Sequence, residues 1–153
     1  MNIKPYTRPA QAGVTLIELM TVMVVLAILA SIAVPSYRSY MLRTNRTDAK
    51  SALMQLQAAQ EKFYLQNNAY TDKVTAKAAD GGLGLLDTTS HGFYQLGVTL
   101  KKIGGVDGQG YTATATPITG KGQSDDAKCA TFSIDDAGNK TVTGSMGSIA
   151  CWK

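Results

Sequence analysis

From Val14 to Val34 the chain carries an unbroken apolar run whose only charged residue is Glu18. As a helix rising about 1.5 Å per residue, that run is roughly 31 Å long, enough to cross a bilayer core of about 30 Å. A carboxylate inside such a segment is costly in lipid and marks a functional position. Pro35 closes the run. It removes the hydrogen bond back to Ser31 and crowds that carbonyl, which predicts a kink or local melting there.

The residues around the start of the run are specific. Gly13 is followed by Val14-Thr15-Leu16-Ile17-Glu18, so an apolar residue follows the glycine and Glu stands fifth after it. This arrangement, tight over residues 8–35, resembles the class III signal of type IV pilins and of the pseudopilins of type II secretion. Two features depart from the commonest pattern: the nearest basic residues before the glycine are Lys4 and Arg8, and Val14 stands where Phe is usual. The resemblance implies that a prepilin peptidase cuts between Gly13 and Val14 and methylates the new amine of Val14. It also implies that the apolar helix anchors the subunit in the inner membrane, meets an assembly platform there, and then becomes filament core. No cofactor and no metal are implied.

Glu18 and the amine made by cleavage are natural partners in lipid. Val14 and Glu18 lie four apart on one helix, and staggered packing lets the amine of one subunit reach Glu18 of another, as the resemblance implies. Such a buried pair rewards correct register more than raw stability. Gly13 suits a peptidase that closes on bare backbone.

Beyond Pro35 the helical pattern continues. Ala49, Ala52, Leu53, Leu56, Ala59 or Gln60, and Phe63 recur at three- and four-residue steps, while Arg46, Asp48, Lys50, Gln57, Glu61 and Lys62 fall mainly elsewhere. One helix from Val14 to about Gln66 would be roughly 80 Å long. Tyr37, Tyr40 and Met41 suit a membrane–water interface or a subunit contact. Asn67-Asn68 and the glycines at 81, 82 and 84 end the helix and open a long connection, onto which Leu83, Leu85 and Leu86 can fold back.

Strands follow at Phe93–Leu100, Tyr111–Thr116, Ala130–Ile134 and Lys140–Thr143, read from apolar alternation. A turn is expected from Gly104-Gly105 through Gly108-Gln109-Gly110, and another at Asp135–Asn139. An antiparallel meander with one face covered by the helix stripe is the economical topology. The fold class is therefore α+β, and the order of elements resembles that of type IV pilins. Divided accordingly, residues 1–13 are a leader, 14–35 the membrane and filament-core helix, 36–67 the amphipathic helix of the head, 68–92 a loop, and 93–153 the sheet and C-terminal region. Tyr111 to Pro117, Asp125 with Cys129, and Cys151-Trp152 resemble the tails of PilE-like minor pilins in particular.

The two cysteines, Cys129 and Cys151, lie far from the membrane segment. In an oxidising compartment they read as a disulfide closing a short loop, worth about 3 kcal/mol. Charge does not orient the anchor, because Arg38, Arg43 and Arg46 follow it. The cysteines place the C-terminal part outside the cytoplasm instead.

The net charge of +4 resides in the leader and helix. From Asn68 onward eight lysines face eight aspartates, so a DNA-binding role gets no support from net charge. Other chemistry finds little footing. His91 stands alone as a surface-loop histidine, Asp125-Asp126 is weak as a calcium site, and Asp135-Asp136 reads as turn chemistry. Lys101-Lys102 suits phosphates or plain solvation. The chain reads as a non-enzymatic filament subunit, a minor pilin serving adhesion, twitching motility or DNA uptake. A major pilin, a pseudopilin and a signal-anchored periplasmic binding module that never polymerises are the alternatives. On this reading the partners are other pilin subunits, and the subunit passes from the inner membrane to a surface pilus.

Overall fold

The computed structural model describes residues 13–153, so the leader up to residue 12 lies outside the described residues. These residues form two compact units, one ending at Ser39 and one running Tyr40–Lys153. A single helix, α1 (Leu16–Asn67), contributes to both.

In the first unit α1 opens at Thr15, whose Oγ1 accepts the backbone N–H of Glu18 at 3.3 Å. That bond satisfies one of the free amides of the first turn, and Glu18 sits where the helix dipole favours a negative charge. The hydroxyls within the run are satisfied locally: Thr21 donates to the Ile17 carbonyl at 2.8 Å and Ser31 to the Ile28 carbonyl at 2.7 Å. The expected melting at Pro35 is absent, since helix continues through it. Proline deletes only one rung, and the rungs on either side hold the backbone in place.

In the second unit α1 buries one stripe: Ala49, Leu53, Leu56 and Gln60. Gln60 is the polar member and behaves like a piece of backbone. Its Nε2 donates to the Thr71 carbonyl at 2.5 Å and its Oε1 accepts the Thr71 amide at 3.2 Å, pinning the chain after the helix. Asn68 ends α1 in the left-handed region, φ 53°, with its amide on the Tyr64 carbonyl at 2.8 Å. The loop that follows holds a short 3-10 turn, Ala78–Asp80. Leu83 and Leu85 pack against the core, but Leu86 is exposed, contrary to expectation.

The sheet is a four-stranded antiparallel meander in the order β1 (Tyr94–Ile103), β2 (Val106–Pro117), β3 (Phe132–Asp135) and β4 (Lys140–Val142). The first hairpin is longer than the sequence pattern indicated. Only Gly104-Gly105 turns; Val106 to Gly110 belong to β2, with a register irregularity between Lys101 and Ile103. Gly108 explains why a glycine serves inside this strand. It has φ 74°, and a Cβ there would lie 3.1 Å from the Tyr70 carbonyl oxygen, whose residue's amide bonds the Gly108 carbonyl at 2.8 Å. One core cluster joins Ala49, Leu53 and Leu56 of α1 to Tyr94, Tyr111, Ala113, Ala115, Phe132 and Ile134 of the sheet. A five-residue helix, α2 (Ser148–Trp152), follows the last strand and was not foreseen from sequence.

Candidate functional site

The sequence singled out two places, the start of α1 and the cysteine-bearing tail. At the first, Gly13 and Val14 precede the helix and are exposed, so their backbone stands clear of the helical hydrogen-bond ladder. Glu18 is exposed as well, and among the described residues its carboxylate makes no ion pair. Every large apolar side chain from Val14 to Val34 is at least half exposed, on all sides of the helix. A helix apolar all round requires lipid or other helices as its surroundings.

At the second, Cys129 and Cys151 form a disulfide with Cα atoms 5.9 Å apart. The tail it closes is held at three further points. The Trp152 indole N–H donates to the Thr141 carbonyl at 2.9 Å, the Val142 amide donates to Ser148 Oγ at 3.1 Å, and Lys50 Nζ donates to the Lys153 carbonyl at 2.7 Å. Lys140 Nζ lies 5.3 Å from the centre of the Trp152 ring, within cation–π range.

The loop before Cys129 is fixed by a pair that sequence reasoning missed. Arg46 was assigned to the polar side of α1, yet its guanidinium meets Asp126 in a two-point contact, Nε–Oδ2 2.7 Å and Nη2–Oδ1 2.8 Å. The side chains are only 11% and 2% exposed. Gln123 Nε2 also donates to Asp126, at 3.1 Å, and the Cys129 amide does so at 3.3 Å. A carboxylate with this many donors is structural, which removes Asp126 as a calcium ligand. Among the described residues no cluster of His, Cys, Asp and Glu is placed to hold a metal.

Other carboxylates are also committed. Asp135 accepts the amides of Ala137 at 3.1 Å and Asn139 at 2.8 Å, as a turn residue does. Partial burial works against its charged form, but the bonds from Asn139 and then Lys101 outweigh it and hold the carboxyl below the usual range. Lys101 Nζ reaches Asp136 at 2.9 Å and Asp135 at 3.4 Å, and Lys102 reaches Asp107 at 3.2 Å. The Lys101-Lys102 pair is therefore neutralised locally. His91 is exposed at the side chain, with Nδ1 3.3 Å from Asp48. By contrast Lys62, Lys77, Lys121 and Lys128 are free of carboxylate partners among the described residues. All four are exposed. A neutral total thus conceals cations left over after internal pairing, which the sequence count did not reveal.

Comparison with known proteins adds independent findings. A family model described as the type IV minor pilin ComP, DNA uptake sequence receptor, matches residues 35–133. A model of the prokaryotic N-terminal methylation motif matches residues 8–34. No curated protein matches the chain. Among solved structures, it is similar to a type IV pilin from Shewanella oneidensis, with 23% identity, 65% of this chain and 89% of that chain covered, and a TM-score of 0.45. It is similar also to the non-core minor pilin PilV of Neisseria meningitidis, with 19% identity, coverage of 70% and 91%, and a TM-score of 0.48.

Proposed function

Because this chain belongs to the type IV minor pilin family described as ComP, DNA uptake sequence receptor, we propose that it is the DNA-receiving subunit of a type IV pilus, built in through its N-terminal helix. Membership of a structural, filament-forming family selects the minor pilin from the alternatives open at the sequence level. The observation that carries the assembly half is the apolar segment left uncovered on every side from Val14 to Val34. Lipid covers it before assembly and neighbouring pilin helices cover it afterwards.

On this reading prepilin peptidase cuts between Gly13 and Val14, and the amine of Val14 is methylated. Glu18 then pairs with the amine of a neighbour, leaving neither charge alone as the helix exchanges lipid for protein. Pro35 marks where the anchor gives way to the head. The disulfide supports a head lying outside the cytoplasm, because an oxidising compartment sustains it.

DNA reception is supported by the family's description and by the lysines without carboxylate partners within the matched segment: Lys62, Lys77, Lys121 and Lys128. Lysines left over after internal pairing serve phosphates, and phosphate contacts confer salt-dependent affinity. The test is titration of duplex DNA with the full chain in detergent across a salt series. Binding should weaken with a log–log slope of about −0.9 per phosphate contacted. Lys62→Glu, Lys77→Glu and Lys121→Glu together should weaken it further. Absence of binding even at low salt would refute the receptor role while leaving filament assembly untouched.

A further inference from the structure

Arg43 and Arg46 follow the apolar run on the side of the disulfide-bearing head. Cations just outside the cytoplasmic face oppose the usual topology of a single-pass anchor, so each needs a compensating contact. Arg46 has one in Asp126. Arg43 has none: it is exposed, and among the described residues no carboxylate meets it. Its partner therefore lies outside the chain.

Arg43 stands nine residues past Val34. As helix that is about 14 Å, and the headgroup layer outside a 30 Å hydrocarbon core is itself about 5–7 Å deep. Chain connectivity thus keeps the Arg43 backbone within about one Debye length, roughly 8–10 Å, of the headgroups, and a long arginine side chain spans much of that gap. Tyr40, 66% exposed, suits the same layer.

The head brings a distant segment to these turns of α1. Gln123 Nε2 donates to the Leu42 carbonyl at 3.4 Å, and the Ile118 amide donates to the Phe93 carbonyl at 2.9 Å. Between those two anchors lies Lys121, exposed and free of a carboxylate partner among the described residues. The nearby acids are already engaged: Asp126 by Arg46, Asp48 by His91, and Asp125 is not free either. Two cations without partners thus stand at the end of the head that the chain tethers nearest to lipid.

We propose that, while the subunit is held in the membrane, Arg43 and Lys121 bind the phosphates of anionic lipid headgroups in the leaflet on the head's side. Lipid phosphate supplies the partner that the fold denies Arg43 and offsets its cost as an external cation. Lys121 meets lipid phosphate at this stage and is released to DNA phosphate when the subunit leaves the membrane. The contact rests on the anchoring reading above and adds to it a lipid-binding surface on the head.

The experiment inserts the full chain in nanodiscs of phosphatidylcholine alone or mixed with phosphatidylglycerol. Amide hydrogen exchange of residues 118–126 is then followed by mass spectrometry. The anionic discs should slow exchange there about fivefold, the factor for one basic side chain at an anionic surface. Arg43→Gln and Lys121→Gln should each reduce the slowing and together abolish it, with the head's unfolding midpoint unchanged. Equal exchange in both discs, or slowing that survives the double variant, overturns the proposal. So does equal slowing by inorganic phosphate in neutral discs, which would assign the pair to free anions. Slowing by duplex DNA but not by anionic lipid would overturn it too, leaving Lys121 to DNA alone. A chain that enters neither disc overturns the anchoring reading together with this contact.

Discussion

The two stretches of α1 on either side of Ser39 are built from the same backbone and obey different rules. In the stretch before it no large apolar side chain is less than half exposed, and in the one after it Ala49, Leu53 and Leu56 are wholly buried. The difference lies in pattern. Residues 14–34 are apolar in every direction, so no single protein surface can cover them. Residues 49–60 place apolar groups on one stripe, which a sheet can cover within the same chain. The first stretch is completed by its surroundings, the second by the fold, so mutations in the two should register in different assays.

The largest contrast is expected at Glu18. Glu18→Ala should leave processing and head stability unchanged but nearly abolish incorporation into fibres, scored by immunoblot of sheared material against whole cells. Normal incorporation would show that the acid is dispensable to assembly.

Arg46 should behave in the opposite way. Arg46→Ala strands the buried Asp126 carboxylate, and breaking one side of such a pair costs about 3–5 kcal/mol. Denaturant unfolding of the purified chain measures this, and a loss under ~1 kcal/mol would mean that the pair is solvated. Next comes the disulfide: Cys129→Ser with Cys151→Ser should cost about 3 kcal/mol by the same measurement.

The smallest effect belongs to acid. The carboxyl of Asp135 is held down in the folded head, so its contribution is present above its unfolded value of 3.8 and lost as pH falls through the lower folded value. Lys101 moves the opposite way. Its bond to Asp136, opposed by partial burial, raises it, so its share is intact below 10.5 and lost as pH rises through the folded value. Between those limits the β1–β3 side of the sheet should be insensitive to pH. Thermal melts of wild type and Asp135→Asn should therefore converge only at the acid end.

The same contrast explains what was legible beforehand. The Gly13–Glu18 motif, the apolar run and the stripe from Ala49 are local and periodic, so the helix and its two environments could be read directly. The meander and the turn at Asp135–Asn139 were legible through alternation and turn residues. Arg46 and Asp126 lie 80 residues apart, and no local signal links them. Arg46 looked like one more surface cation because its helical position is off the apolar stripe. Gln60 was ambiguous because its burial depends on a loop backbone it imitates. Gly108 and Gly110 resembled a turn although close approach, rather than reversal, is what Gly108 serves. Five residues of α2 behind Gly147 carry too little periodicity to register. Net charge hid the lysines left without carboxylate partners, because a sum does not show which lysines are already paired.

Mass spectrometry of sheared surface fibres tests the central claim most directly. The account predicts a subunit peptide beginning at N-methylated Val14, with residues 1–13 gone. Fibres whose subunits retain those residues, or fibres from which this chain is missing, would contradict it.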